Sequence, residues 1–304
     1  MKILLTGSTG MIGNAVRVRL EKKYTLVEAS KSKGIDITQK EDAERVMKGV
    51  DVVVHAAATI DERTPKEEMY RINVEGTRNL LNAAEKENVS KFIFISSVGI
   101  FGKAKEKLDE QSIQMPETNY EKSKAEAEKL VWNMQEVFPI VIIRPALVVG
   151  PNDYWKRIFS TIKKGFPLIG KGKNKWQMVD VDDLADFIAL CVKDKEIENE
   201  AFIVAEEEMH TLREVVDMIA DIQGVKRPKS IPQLLGVAGS YVFLLMSKIT
   251  GKPALLIPAH VRRMGKHREY DTTKARAIGW KPKYSTKESL QKTYDILAHQ
   301  NIKN

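Results

Sequence analysis

Five short apolar runs alternate with helical stretches through the first half of this chain, and no other feature restricts its fold so sharply. The runs are "KILLT", "TLVEA", "DVVVHAA", "KFIFIS" and "IVIIR". Between them, residues 11–22, 40–48, 66–87 and 120–135 carry helical spacing. The runs are continuous rather than alternating, as strands covered on both faces are. Strand and helix in strict succession predict an α/β fold on a doubly wound parallel sheet. The 304 residues, 43% apolar, suffice for one large domain or two coupled lobes. After Pro151 the rhythm loosens, and residues 200–205 ("EAFIVA") read as a late strand rejoining the sheet. The expected division is a sheet domain over 1–178, a returning segment over 179–206, and a smaller, mostly helical lobe over 207–304.

"LLTGSTGMIG" closes the first strand and opens the first helix. In a doubly wound sheet, ligands sit at the carboxyl ends of the strands, where a helix N-terminus presents free N–H groups to an anion. Gly7 suits the tight turn, Gly10 a pyrophosphate against bare backbone, and Gly13 close packing of helix on sheet. Taken alone, Gly-x-x-Gly-x-x-Gly is a weak signal; its place after the first strand gives it weight. The second strand ends "VEASKSK". Ser30 and Lys31 there suit a 2′-phosphate, favouring NADP over NAD, while Glu28 on the same strand face is an alternative partner for a ribose diol. Lys31 and Lys33 also read as ordinary solvated lysines. Asp36 and Ile37 are placed beside the adenine, and Ala56, Ala57 and Ala58 offer small residues against the dinucleotide.

Tyr120 and Lys124 lie four apart on a predicted helix, hence on one face. A phenol with a pKa near 10 is a poor proton shuttle, and an adjacent ammonium makes it a better one. Such a pair also occurs as an ordinary helix-surface neighbourhood. Ser96 and Ser97 end the fourth strand, where a hydroxyl can hold a substrate oxygen within reach of Tyr120.

Net charge is +8 and the pI about 9.2. Lys is mixed with Glu, and no basic stripe with interleaved aromatics appears, so nucleic acid is not expected as a partner. One cysteine, Cys191, excludes an internal disulfide and reads as a small buried hydrophobe. "MKILLTG" lacks the apolar core and cleavage site of a signal peptide, and a cytoplasmic location is expected. The five histidines and the carboxylates show no metal-ligand spacing, so no metal is expected.

Together these motifs resemble the extended short-chain dehydrogenase/reductase family, the NAD-dependent epimerase/dehydratase superfamily. Residues 6–13 match its Thr-Gly-x-x-Gly-x-x-Gly, Asp36-Ile37 its Asp-hydrophobic pair and 55–58 its His-x-Ala-Ala. Residues 73–77 match Asn-Val-x-Gly-Thr, 120–124 Tyr-x-x-x-Lys, and 144–151 its Arg-Pro…Gly-Pro segment. "VDVDDLAD" and "YDTTKARAIGWKPK" also look like family landmarks, so the likeness covers almost the whole chain. The resemblance implies a Rossmann-type NAD(P)-binding domain and a substrate lobe. It makes Tyr120 the acid/base, Lys124 its tuner and nicotinamide-ribose ligand, and Ser97 the active-site serine. It places cofactor contacts at Thr6, Gly7, Thr9, Gly10, Met11, Ile12, Gly13, Asn73, Ser96, Tyr120, Lys124 and Pro145, besides those named above. It also implies a homodimer through residues 66–87 and 120–135. Phe101 stands where the family usually has Tyr.

Leu147 and Trp176 replace the Asn and Arg with which sugar-nucleotide epimerases and dehydratases of the family hold a diphosphate. The sequence therefore looks nearer the dihydroflavonol reductase and 3-beta-hydroxysteroid dehydrogenase branch. This implies oxidation or reduction of a hydroxyl or carbonyl on a small apolar molecule, with a 4-epimerase or dehydratase as the alternative. Residues 230–247 carry no charge and are bordered by basic residues. The favoured expectation is a buried helix; the others are an apolar substrate lid or a peripheral membrane contact. "RRMGKHR" (262–268) suits either an anionic substrate group or a solvated helix end.

Overall fold

The computed structural model describes residues 1–102, 107–251, 256–258, 261 and 264–302. In chain order the first half is β1 (Lys2–Thr6), α1 (Met11–Leu20), β2 (Thr25–Ala29), α2 (Lys40–Met47), β3 (Val52–His55), α3 (Lys66–Tyr70), α4 (Gly76–Lys86), β4 (Lys91–Ile95), α5 (Asn119–Trp132) and β5 (Ile140–Pro145). The second half is β6 (Leu147–Val149), α6 (Asp153–Lys163), β7 (Leu168–Ile169), β8 (Lys175–Trp176), β9 (Met178–Asp180), α7 (Val181–Lys193), β10 (Glu200–Val204), β11 (His210–Thr211), α8 (Leu212–Ile222), β12 (Ser230–Ile231), α9 (Gln233–Thr250), α10 (Thr273–Ala277) and α11 (Thr286–Ile302).

The five apolar runs and β10 form one parallel sheet in the order β10-β5-β4-β3-β1-β2. β2 and β3 flank β1 on opposite sides, which puts the topological switch at the carboxyl end of β1. The late strand rejoins the sheet as expected: β10 pairs with β5, Phe202 opposite Ile143. One face of the sheet packs against α1 and α7, through Val16, Leu184 and Phe187, with Trp280 added from near the end of the chain. The other packs against α2, α4 and α5, through Met47, Leu80 and Ala127. Cys191 is fully buried, as read from sequence.

The structure departs from the sequence reading in three places. Residues 66–87 do not form one regular helix, because α3 runs into α4 through a π turn, Arg71–Glu75. The cores do not divide at 178 and 207. Trp155, Phe159 and Leu168 share a core with Leu212, Val215, Leu290 and Leu297, so 149–178 packs with the second lobe. α9 is not a buried helix: only Gly236 and Ser240 of its residues are buried. Helical apolar spacing reveals a stripe, not what covers it. Arg262 and Arg263 of the "RRMGKHR" cluster lie outside the described residues.

Candidate active site

Beyond β1 the chain turns through Gly7 in the left-handed region, at φ +68°. A Cβ at Gly7 would stand 2.8 Å from Ala57 Cα, and one at Gly13 2.1 Å from the Gly7 carbonyl oxygen. Packing alone therefore demands glycine at both positions. Gly10 differs, since its Cβ would meet only the Gly7 oxygen, at 3.3 Å. Gly10 caps α1 without a side chain, and the first turn holds no carboxylate. The leading N–H groups and the positive end of the helix dipole are thus left for an anion. These features fit the pyrophosphate of a dinucleotide.

After β2 a short turn folds toward the glycines. Ser30 and Ser32 hydroxyls lie 3.0 Å apart, and Ser32 donates to Thr9 at 3.2 Å. Lys33 pairs with Glu28 at 2.8 Å and holds that carboxyl below its ordinary value, while Lys31 reaches Asp36 only at 3.8 Å. Asp36 accepts the Thr38 N–H at 3.0 Å. The Ile37 side chain is spent on packing beneath α4, where a Cβ on Gly76 would come within 2.9 Å of it. Met11 Sδ accepts from Asn152 at 3.2 Å, tying the first turn of α1 to the loop before α6.

A line of hydrogen bonds connects the glycine turn to Tyr120. The Ala57 N–H donates to Thr6 Oγ1 at 3.2 Å, and Thr6 Oγ1 contacts His55 Nδ1 at 2.7 Å. His55 Nε2 lies 2.9 Å from Thr77 Oγ1, which donates to the Asn73 carbonyl at 2.7 Å. That donation fixes the sense of the line: a hydroxyl has one proton, so His55 Nε2 donates and Nδ1 accepts from Thr6. Burial and the Lys124 charge push His55 down to about 3, which keeps it neutral for this double role. Asn73 Nδ2 donates to Ser123 Oγ at 2.9 Å, and Ser123 donates to the Tyr120 carbonyl at 2.8 Å. The π turn places Asn73 in this line; such turns occur often at functional sites.

α5 opens with a capping box between Thr118 and Glu121, which sets Tyr120 in its first turn. Lys124 is buried, donates to the Ile95 carbonyl at 2.6 Å, and lies 4.1 Å over the Phe94 ring. Burial drives its pKa down to about 7, although Glu128 opposes the shift. The two serines divide. Ser97 caps the next turn, accepting the Gly99 N–H at 3.0 Å, and keeps its own proton to donate. Ser96 is buried and donates to Glu128 at 2.6 Å, so its hydroxyl does not serve the crevice.

Below the serines lies a buried ion pair. Arg144 donates to both Glu128 oxygens, at 2.6 and 3.2 Å, and Gln114 adds a bond of 2.9 Å. Phe101, in place of the family tyrosine, is buried with its ring 5.4 Å from the Arg144 guanidinium. Arg268 lies 4.7 Å over the Trp176 ring, so a cation reaches the Trp176 position from far along the chain. Sequence reasoning assigned no role to Thr77, Ser123 or Glu128, and named Arg268 only as part of the 262–268 cluster. The first two lie inside quoted motifs, but their bonding carries no local signature. Among the described residues, no group of three or more His, Cys, Asp or Glu side chains is placed to hold a metal.

Comparison with known proteins adds the family. The profile of the NAD-dependent epimerase/dehydratase family matches residues 3–205, two-thirds of the chain. The chain belongs to that family. A UDP-glucose 4-epimerase of Vibrio cholerae is 30% identical over 98% of this chain and 96% of its own length. An Escherichia coli O157:H7 enzyme, N-acetyl-alpha-D-glucosaminyl-diphospho-ditrans,octacis-undecaprenol 4-epimerase, is 27% identical over 96% of this chain and 93% of its own. An Arabidopsis thaliana 3beta-hydroxysteroid-dehydrogenase/decarboxylase is 26% identical over 97% of this chain and 71% of its own. Members of the epimerase/dehydratase family are NAD(P)-dependent epimerases, dehydratases and dehydrogenases, and this chain is an NAD(P)-dependent enzyme of that group. Solved structures of the same fold hold NAD in some cases and NADPH in others.

Proposed function

We propose that this epimerase/dehydratase-family enzyme is an oxidoreductase for a hydroxyl or ketone on a small, apolar molecule. It uses NADP in preference to NAD and works in the cytoplasm as a homodimer. The observation that carries the chemistry is the bonded line from the glycine turn through His55 and Asn73 to the helix bearing Tyr120 and Lys124. Bound dinucleotide supplies the hydride donor or acceptor. In this reading Ser97 holds the substrate oxygen, Tyr120 gives or takes its proton, and the Lys124 ammonium lowers the phenol's pKa. The glycine turn holds the pyrophosphate. Thr6, Thr9, Met11, Ile12, Asn73 and Pro145 are assigned to the same cofactor site. Ala56–Ala58 back the dinucleotide, and Ser96 and Ile37 are left to contribute backbone alone.

An apolar substrate is supported by Leu147 in place of a polar diphosphate ligand, and by the lipid part of two relatives' named substrates. The test is net turnover. With NADPH and a panel of apolar ketones, absorbance at the reduced-nicotinamide band falls in proportion to product. A 4-epimerase, the reading that the Vibrio and Escherichia relatives favour, would convert sugar substrates with no net change. That outcome would displace the oxidoreductase reading.

Lys31, whose side chain is 59% exposed, is the cation best placed for a 2′-phosphate, because Lys33 is held by Glu28. Lys31→Glu is expected to weaken NADPH binding by roughly tenfold or more while leaving NADH within about twofold, as suits loss of one charge-assisted contact. Fluorescence titration checks this; equal losses for both dinucleotides would count against NADP selection here. The homodimer is proposed through residues 66–87 and 120–135, where α5 presents a groove of about 730 Å³ lined by Ala125, Leu130 and Trp132 together with Glu126, Lys129 and Asn133.

A further inference from the structure

We propose that α9 is a docking surface on which the protein rests against a bilayer of anionic lipid, the helix lying flat in its interface. This goes beyond the assignment of the reaction and does not depend on it. In a helix packed on a soluble protein, the apolar stripe faces inward and the polar one outward. In α9 the order is reversed. The inward positions include Gly236 and Ser240, both buried, and Ser240 donates to the Val237 carbonyl at 2.6 Å. A Cβ on Gly236 would stand 2.3 Å from Ile169, so the helix lies on β7 as closely as glycine permits. The outward positions carry Leu234 (79% exposed), Leu245 (61%) and Ile249 (76%), joined by Leu235, Tyr241, Val242 and Met246. Seven of the sixteen exposed large apolar side chains in the described residues thus belong to one 18-residue helix. They form a stripe about 22 Å long at 1.5 Å per residue. A patch this continuous on a soluble surface marks an interaction site.

Charge identifies the occupant. From residue 222 to residue 268 there is no Asp or Glu, and there are nine Lys and Arg. The rest of the chain then holds 40 Lys and Arg against 41 Asp and Glu, so the whole basic excess falls in this stretch of sequence. The mixing of Lys with Glu read from sequence holds elsewhere and fails here. Lys226, Lys229 and Lys248 are exposed and carry no ion pair among the described residues. An apolar stripe with unpaired cations at both ends matches an anionic interface. A second copy of the chain would bring like charges together. The helix also has the length and composition of a membrane span. However, β12 pairs with β7 immediately before it and Gly236 is seated on Ile169, which hold it to the protein surface, and the charge of Lys248 in its last turn interrupts an apolar span.

The experiment is co-sedimentation of the full chain with phosphatidylglycerol-containing vesicles and with pure phosphatidylcholine vesicles. Binding is expected to be at least tenfold tighter to the anionic vesicles and to weaken in 0.5 M salt, on the order of the screening expected of surface charge. Leu234→Ser/Leu245→Ser/Ile249→Ser is expected to lose most of that binding, on the order of a hundredfold, with its melting temperature and dinucleotide binding unchanged. In a second variant, Tyr241→Trp, indole emission should shift to the blue on anionic vesicles, with quenching by shallow rather than deep bromolipids. Failure of the unaltered chain to bind, equal binding to both lipids, or undiminished binding by the serine variant would overturn the proposal. So would deep quenching, or self-association through this face that vesicles do not compete away.

Discussion

Tyr120→Phe is expected to reduce turnover by about 10²- to 10⁴-fold, the contribution typical of a positioned proton donor. The change removes one oxygen and keeps the ring, which is nearly buried at 9% exposure. The hydrogen bond from Ser123 goes to the Tyr120 main chain, so the line to the glycine turn survives the substitution. Dinucleotide affinity should therefore stay within about threefold, well under the 1.4 kcal/mol that a tenfold change represents. Loss of rate with retained binding separates a reacting group from a binding one. Lys124, held near neutrality by burial, sits one helical turn away and gains most from a negative neighbour. Pre-steady-state turnover with saturating NADPH is the measurement. A Tyr120→Phe variant working within tenfold of the parent would remove Tyr120 from the chemistry.

Glu128→Leu is expected to destabilise the protein by about 3–5 kcal/mol, because it strands a buried guanidinium. Both side chains of the pair are almost fully enclosed, 4% exposed for Arg144 and 0% for Glu128. Ser96 and Gln114 would lose their acceptor as well. The double variant Glu128→Leu/Arg144→Met should recover much of the loss, since replacing an enclosed ion pair by apolar groups is often neutral or better. Thermal denaturation of these two variants and of Arg144→Met, each without dinucleotide, reads the coupling. A single-variant cost below about 1 kcal/mol would mean that water already reaches this pair.

The sheet was legible because continuous apolar runs are a local property, and all five runs became strands of one parallel sheet. The carboxyl-end crevice followed from strand order alone. What local pattern could not reveal were matters of facing. Ser96 and Ser97 are neighbours at a strand end, and only the packing of α5 decides that Glu128 takes the first. Ile37 keeps its motif position, yet its side chain belongs to the core. Asn73 and Ser123 are fifty residues apart, and Thr6 and His55 forty-nine, so no window of sequence contains their bonds. The π turn adds a residue within a helix whose two ends still look regular. For α9 the helix was right and its burial wrong: an uncharged stretch that faces solvent reads the same as one that faces a core.

The interleaving of the cores has a mechanical consequence. The chain leaves the sheet after β5 and returns with α7 and β10. It leaves again at β11, returns to place Ala275 and Trp280 against α7, and departs a last time into α11. Trp280 donates to the Asp183 carbonyl at 3.1 Å and meets Phe187 edge-on at 5.6 Å. The two bodies are laced together like the boards of a bound book, through several covalent threads rather than one hinge. A single protease nick would therefore liberate neither, and a fragment ending near residue 205 would lack the aromatic plug that seals its own interior.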